Sequence, residues 1–269
     1  MNKISLDTPL ARGRTADVFE WEPGQALKLF HNWFPLRDIE FEQRIGRAVH
    51  ASGVNAPDVI GEIVQVDSRN GLIYERIDGR SMLEIAPHQP WKVFTFAKRF
   101  ATLHAQMHEH VFTAEVPTQR SKFEYRIQHV DVISESLRAA LLERLASLPD
   151  GERICHGDFH PANVLVTRQG EAVIDWIDAS RGNPLADVAR VTIILIGAVE
   201  SGQIRNPFEK VFIRVFLSAY LKQYFRLRPG GEDEYQRWLP IVAAARLSEG
   251  IKELDTWLIQ QANLVYAQK

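Results

Sequence analysis

The run His156-Gly157-Asp158-Phe159-His160-Pro161-Ala162-Asn163 constrains this chain more than any other stretch. It sets Asp158 five residues before Asn163, and Asp175, in Ile174-Asp175-Trp176, follows twelve residues after that. Val164–Thr167 and Ala172–Ile177 read as two short strands turned by Arg168-Gln169-Gly170. That hairpin signal puts Asp175 at the end of the second strand.

The elements around this run change character along the chain. Up to Ile77, short β-rich runs alternate with turn residues. Thr15–Trp21 and Gln25–Phe30 flank Glu22-Pro23-Gly24, and Val59–Val66 and Gly71–Ile77 flank a turn at Asp67–Asn70. Arg37–Ser52 between the two pairs has helical spacing and Gly53 near its end. After Gly79 the pattern is mostly helical. Trp91–His110 and Val130–Leu148 read as helices, and three long helical segments are expected from Leu185 onward. The Trp and Phe residues of Trp91–Phe100 fall on a helical face expected to be core. This is an α+β pattern, with a lobe boundary expected near Asp78-Gly79: residues 1–77 form a strand-rich lobe and residues 78–269 a helical one.

Composition narrows the class. A formal net charge of -2 leaves no basic excess for a nucleic-acid partner. One cysteine, Cys155, excludes an internal disulfide and fits a reducing compartment. The stretch Met1–Gly13 has no apolar run of signal-peptide length, and Val191–Val199 falls well short of a bilayer span. A cytoplasmic protein with no membrane partner is expected.

The spaced oxygen ligands suggest chemistry. Phosphoryl transfer asks for a group that orients the accepting hydroxyl and for a cation that neutralises phosphate charge. Mg2+ prefers oxygen ligands and takes few from the protein. The alternating His156, Asp158 and His160 could instead hold Zn2+ in a hydrolase, but such a site has no need of Asn163 or Asp175. Lys28, in Ala26-Leu27-Lys28-Leu29-Phe30, is a cation inside an apolar strand, costly to bury without a partner. Glu40 and Glu42 lie on the following helix as candidate partners. His104 and His108 have a zinc-compatible spacing, yet no cysteine or further carboxylate nearby completes a site.

The motif from Cys155 to Arg190 resembles the Brenner-type motif of the aminoglycoside phosphotransferase and choline kinase family, whose fold is protein-kinase-like and two-lobed. The resemblance implies that Asp158 is the catalytic base and that Asn163 and Asp175 bind Mg2+. It implies that Lys28 holds nucleotide phosphates and pairs with Glu42, whose interval to Gly53-Val54-Asn55-Ala56-Pro57 is similar to the family's. The loop Gly13-Arg14-Thr15-Ala16 resembles a phosphate-covering loop, although an ordinary hairpin turn is the better reading of it without the other motifs. Tyr74-Glu75-Arg76-Ile77 resembles the hinge that binds adenine through the Glu75 carbonyl and the Ile77 N–H, with Tyr74 behind it, although a plain linker turn fits the sequence alone equally well. Asp187, in Pro184-Leu185-Ala186-Asp187, matches a structural aspartate, and His156 is expected to brace the loop.

These expectations describe a kinase that moves the γ-phosphate of ATP or GTP to a hydroxyl of a small molecule. The alternative is a nucleotide-binding regulatory pseudokinase without transfer. Trp238–Gln261 reads as one long helix that puts Glu249 and Glu253 on one face. Such a face suits an amine-bearing acceptor, or is an exposed charged surface of little consequence.

Overall fold

The computed structural model describes residues 8–202 and 204–267, so that Met1–Asp7 of the leader reading lie outside the described residues. The chain divides into two compact units. The first runs to Ser81 and takes in Leu165–Ile177. The second holds Met82–Val164 and the chain from Asp178 onward.

In the first unit, β1 (Ala11–Arg12), β2 (Ala16–Glu20), β3 (Gln25–Phe30), β4 (Val59–Val66) and β5 (Arg69–Glu75) form an antiparallel sheet in the order β1-β2-β3-β5-β4. The β4–β5 connection is tight because Asp67 and Ser68 both take positive φ, 47° and 64°. That is the backbone twist a two-residue hairpin needs. Helix α1 (Leu36–Ala51) covers one sheet face. Ala16, Phe30, Ile39, Val59 and Leu72 are buried there, while Phe19, Leu27 and Leu29 pack on the other face. β-Strand alternation thus turns Lys28 toward the same face as Phe30, with Nζ 5.5 Å from the ring centroid.

β6 (Arg80–Ser81) also belongs to this unit. In chain order, the second unit opens with α2 (Met82–Ile85), α3 (Val93–Met107), α4 (Gln119–Gln128), α5 (Glu135–Ser147) and β7 (Arg153–Cys155). Then come β8 (Val164–Val166) and β9 (Glu171–Val173), which with β6 make a three-stranded sheet in the order β6-β8-β9. Arg80 pairs with Val166, and Ser81 with Leu165. These bonds group the hairpin with the N-terminal sheet although it comes late in sequence. Val173 N–H also donates to the Asn55 carbonyl at 2.9 Å.

The chain ends with β10 (Ser180–Gly182), which pairs with β7, and with α6 (Pro184–Glu200), α7 (Pro207–Leu227), α8 (Glu232–Arg246) and α9 (Lys252–Asn263). Among the described residues no helix is long and apolar enough to cross a membrane.

Several expected boundaries move for local reasons. α5 starts at Glu135 rather than Val130 because the Ser134 side chain accepts the Leu137 N–H and caps it there. Pro90 opens a short 3-10 turn, so α3 begins at Val93 rather than Trp91. Phe96 and Phe100 on α3 are buried, but Trp91 and Phe94 are exposed, so the expected apolar face is only partly core. From Pro184 onward the described residues form four α-helices instead of three, because Trp238–Gln261 is not continuous. α8 ends at Arg246, Leu247–Glu249 is a 3-10 turn, and Gly250 takes φ 67° before α9 begins. A left-handed glycine ends a helix at little cost.

Candidate active site

The candidate residues fall in both units, and each set has its own geometry. In the first unit, Lys28 Nζ donates to Glu42 Oε1 at 2.6 Å and to Asp175 Oδ1 at 3.1 Å. Tyr74 Oη donates to the same Glu42 oxygen at 2.8 Å. Glu42 is buried on the sheet side of α1, whereas Glu40 is exposed. Burial alone would lower the Lys28 pKa, but the carboxylates of Glu42 and Asp175 outweigh it and hold the ammonium above its ordinary value. Lys28 is therefore a fixed cation, aimed by its partners.

Asp175 lies two residues beyond β9 rather than at the end of that strand, and it takes φ 65°. A non-glycine residue in this region stores of order 1–3 kcal/mol. The bend brings its carboxylate within reach of Lys28, and the side chain stays 44% exposed. An exposed carboxylate is available to a hard cation.

The other expected nucleotide residues sit on the same unit. Gly13, Arg14 and Thr15 form the turn between β1 and β2, closed by the Gly13 N–H donating to the Ala16 carbonyl at 2.9 Å. A Cβ on Gly13 would lie 3.0 Å from that oxygen. The Ala16 side chain is core, so only its backbone belongs to the loop surface. β5 ends at Glu75, whose N–H donates to the Asp58 carbonyl at 2.9 Å. Two residues on, the Ile77 N–H meets no carbonyl among the described residues. Tyr74 packs beside α1 as the partner of Glu42 rather than as a wall residue alone.

In the second unit, the loop after β7 carries Asp158, and Pro161–Asn163 forms a 3-10 turn. Asn163 Nδ2 donates to the Asp158 carbonyl at 3.0 Å. This bond fixes the amide with Oδ1 free of any hydrogen bond among the described residues, as a cation ligand must be. An amide oxygen is a hard donor of the kind Mg2+ prefers.

Asp158 is bracketed by two cationic or donor groups. His160 Nε2 lies 3.3 Å from Oδ2, and Arg190 Nη2 lies 3.5 Å from Oδ1. The Ala162 N–H donates to His160 Nδ1, which leaves Nε2 as the donor toward the carboxylate. Burial would raise the Asp158 pKa, but the His160 hydrogen bond and the Arg190 charge hold it well below the usual carboxylate range. The carboxylate is thus an anion that can accept a hydroxyl hydrogen bond. His160, to which the sequence assigns no chemistry, orients it.

The loop itself is held from behind. Asp187 Oδ2 accepts the His156 N–H at 2.7 Å, and Oδ1 accepts the Gly157 N–H at 2.9 Å. The Asp158 N–H donates to His156 Nδ1 at 3.2 Å. Gly157 has φ 79°, and a Cβ there would lie 2.5 Å from the Asp178 carbonyl. No other residue fits this bend without displacement.

Asp187 also draws together the two histidines weighed as a zinc pair. His104 Nε2 and His108 Nε2 lie 3.2 and 3.4 Å from Asp187 Oδ2, all fully buried. Their Nδ1 atoms meet Tyr220 Oη at 2.7 Å and Tyr224 Oη at 2.8 Å. With Asp187 accepting, each histidine donates from Nε2 and accepts the tyrosine hydroxyl at Nδ1. The three side chains could surround a metal, but every nitrogen and oxygen already has a partner, so the cluster is a closed hydrogen-bond network.

Glu249 and Glu253 do not share a helix face. Glu253 is exposed in the first turn of α9. Glu249, in the preceding 3-10 turn, lies 2.5 Å from Arg190 Nη2 and 3.5 Å from Arg246 Nε. Its charge is met by two arginines instead of awaiting an amine. Arg190, His160, Tyr220 and Tyr224 carry no role in the sequence reading. Arg190 has a signal, a lone charge within the apolar stretch Val188-Ala189-Arg190-Val191, and the tyrosines repeat the four-residue spacing of the histidines they meet.

A sequence model described as the phosphotransferase enzyme family matches residues 8–236. No curated protein sequence matches the chain. Among solved structures, a ternary complex of a thermostable aminoglycoside phosphotransferase APH(4)-Ia variant with AMP-PNP and hygromycin B superposes with a TM-score of 0.65 at 16% identity, covering 98% of this chain and 94% of that one. An aminoglycoside-3'-phosphotransferase of type VIII gives 0.61 at 20% identity, with 93% of each chain covered. Amicoumacin kinase hAmiN, in complex with AMP-PNP, Ca2+ and its ligand, gives 0.60 at 14% identity over 96% of this chain and 87% of that one. The match over most of its length establishes that this chain belongs to the phosphotransferase enzyme family.

Proposed function

We propose that this protein transfers the γ-phosphate of ATP or GTP directly to a hydroxyl of a small molecule. The observation that carries the reading is the Lys28–Glu42 pair at 2.6 Å with Asp175 on the same ammonium. A partly buried cation so aimed, with a half-exposed carboxylate beside it, suits the phosphates of a nucleotide. The neighbours with AMP-PNP or ADP bound beside an antibiotic support a nucleotide and a small acceptor together.

In this reading Lys28 binds the α- and β-phosphates and Glu42 keeps its ammonium in place. The Gly13–Ala16 turn covers the phosphates, and the Glu75 carbonyl and Ile77 N–H receive the adenine or guanine edge. Asn163 and Asp175 hold Mg2+, which neutralises charge on the phosphate oxygens when bound. Asp158 accepts a hydrogen bond from the acceptor hydroxyl, aligns its oxygen, and takes its proton as the new O–P bond forms and the bond from the γ-phosphorus to the β–γ bridging oxygen breaks, so that the nucleoside diphosphate leaves with that oxygen. The loose transition state of phosphoryl transfer demands position more than basicity, so a carboxylate with a depressed pKa is adequate.

The test is ADP release across aminoglycosides, amino alcohols, hydroxy amino acids and sugars, with Asp158→Asn as control. Acceptor-dependent release that the variant lacks supports the reading. Nucleotide-dependent thermal stabilisation with no release from any acceptor would favour a regulatory pseudokinase.

A further inference from the structure

Arg246 closes α8 with its side chain only 11% exposed. Its Nε and Nη1 are enclosed and make no hydrogen bond. Nε comes within 3.5 Å of Glu249 Oε2, outside hydrogen-bonding geometry. Nη2 is also without a partner among the described residues, and it is the nitrogen not enclosed. Glu249 is bound at 2.5 Å by Arg190, whose Nη2 also approaches Asp158 and whose Nε donates to the Gly157 carbonyl at 3.0 Å. Arg246 is therefore linked to the base through Glu249 and Arg190.

A guanidinium taken out of water is costly unless it is paired and hydrogen-bonded, and buried polar atoms rarely lack partners. The carboxylates already present do not suffice. Burial first, and then the charge of Arg190, pull the Arg246 pKa down to about 10 despite Glu249 and Asp158. An arriving anion would complete the set, whereas an arriving ammonium would add to the excess.

The geometry points to Arg246 as a specificity residue that binds an anionic oxygen group of the acceptor through its open Nη2 edge, so that the favoured acceptor is a small hydroxylated anion rather than a polycation. This inference rests on the kinase reading and sharpens its acceptor. A carboxylate or a phosphate monoester offers the paired oxygens that a guanidinium fork matches. A neutral polyol offers only weaker acceptors.

The experiment pairs acceptors that carry an anionic group with acceptors that do not. ADP release is measured with glycerate, homoserine and glycerol phosphate, and with glycerol, homoserine amide and ethanolamine, for the wild-type chain, Arg246→Met and Arg246→Lys. The expected result is a preference for the acceptors that carry a carboxylate or phosphate, the zwitterion homoserine included, of about 10²-fold in kcat/KM. Arg246→Met abolishes the preference, Arg246→Lys keeps part of it, and the nucleotide KM is unchanged in both. Loss of glycerate and homoserine alone, or of glycerol phosphate alone, tells which anion is recognised. Arg246→Met should also leave the melting temperature unchanged or raise it, because it removes an uncompensated buried charge. A merely structural ion pair with Glu249 would instead lower it.

Equal or better rates with the uncharged and cationic members overturn the inference and leave the kinase reading intact. So does an anion preference that survives in Arg246→Met. If no acceptor releases ADP, thermal stabilisation by the same anions decides, and its absence in the wild type also overturns the inference. Failure of Mg2+-nucleotide to stabilise the protein is read separately, because it sinks the kinase reading itself.

Discussion

Asp187 Oδ2 accepts the main-chain N–H of His156 at 2.7 Å, so a side chain on α6 fixes the backbone of the loop that carries Asp158. The same carboxylate accepts Gly157 N–H and two histidine donors. Asp187→Asn keeps the shape but replaces one acceptor oxygen with an NH2 group, which must then face a buried donor. Leaving such donors unpaired costs about 1–3 kcal/mol each. The variant should lose of that order in urea unfolding, and kcat should fall more than the nucleotide KM rises. Wild-type kcat in a stably folded Asp187→Asn protein would show that the loop holds its position without this carboxylate.

The histidines of this network make stability depend on pH. Burial first, and the charge of His108 next, hold the His104 pKa down to about 3, and burial likewise lowers His108. In the unfolded chain both protonate near pH 6.5. As pH falls below that value the unfolded state gains protons that the folded state refuses. Stability is therefore complete above about pH 6.5 and declines below it, by about 1.4 kcal/mol per pH unit for His104 alone. The lowered Asp187 pKa acts only below the ordinary carboxylate range. Chemical unfolding followed from about pH 7.5 to about pH 5 should show a loss of at least roughly 2 kcal/mol. A flat profile over that interval would mean that these imidazoles are not held neutral.

How much of this was legible in the sequence depended on distance along the chain. Turn chemistry is local, so Gln25–Phe30 and Val59–Val66 are read to the residue. The 158–163 spacing reads directly because one loop and one 3-10 turn hold it. Asp187 as a brace for the Asp158 loop was readable only through family likeness, since its partners lie about thirty residues upstream. The contacts of His104 with Tyr220 and of His108 with Tyr224 span 116 residues each and leave no trace beyond a shared spacing. The break within Trp238–Gln261 has a local signal, because Arg246 followed by the polar pair Ser248-Glu249 and then Gly250 is a helix-stop pattern in its own right. Beyond that pattern nothing in the sequence singles out Arg246. Its missing partners are a property of packing that no spacing encodes.

Lys28, Glu42 and Tyr74 form one unit through a single oxygen, Glu42 Oε1. Lys28→Ala and Glu42→Ala should each raise the nucleotide KM and lower kcat, and the double variant should be little worse than the worse single one. Tyr74→Phe should have a smaller effect, of order a few-fold, because it removes one of two donors to that oxygen. A double-mutant cycle in kcat/KM measures the coupling. Strictly additive losses would mean that Glu42 does not act through Lys28.

Asp158→Asn isolates the charge of the proposed base from its shape. The asparagine oxygen can still accept from Arg190 Nη2 or, with the amide turned over, from His160 Nε2, and the side chain is exposed enough for water to meet the amide NH2. The fold should therefore survive, with a melting temperature close to that of the parent. What disappears is the anion that aligns the acceptor hydroxyl and receives its proton. Loss of a positioned base lowers kcat by about 10²–10⁴-fold. The nucleotide KM should change little, because Lys28 and Glu42 are untouched. In the parent, Asp158 is held well below the usual carboxylate range, so it stays ionised through neutral and mildly acidic pH. Any acid limb of the kcat profile near neutrality must then come from another group, and it should persist in whatever residual activity the variant has. Measuring kcat, nucleotide KM and melting temperature on one preparation tests all of this. If Asp158→Asn retains more than about a tenth of the parent kcat on its acceptor, the base is another residue.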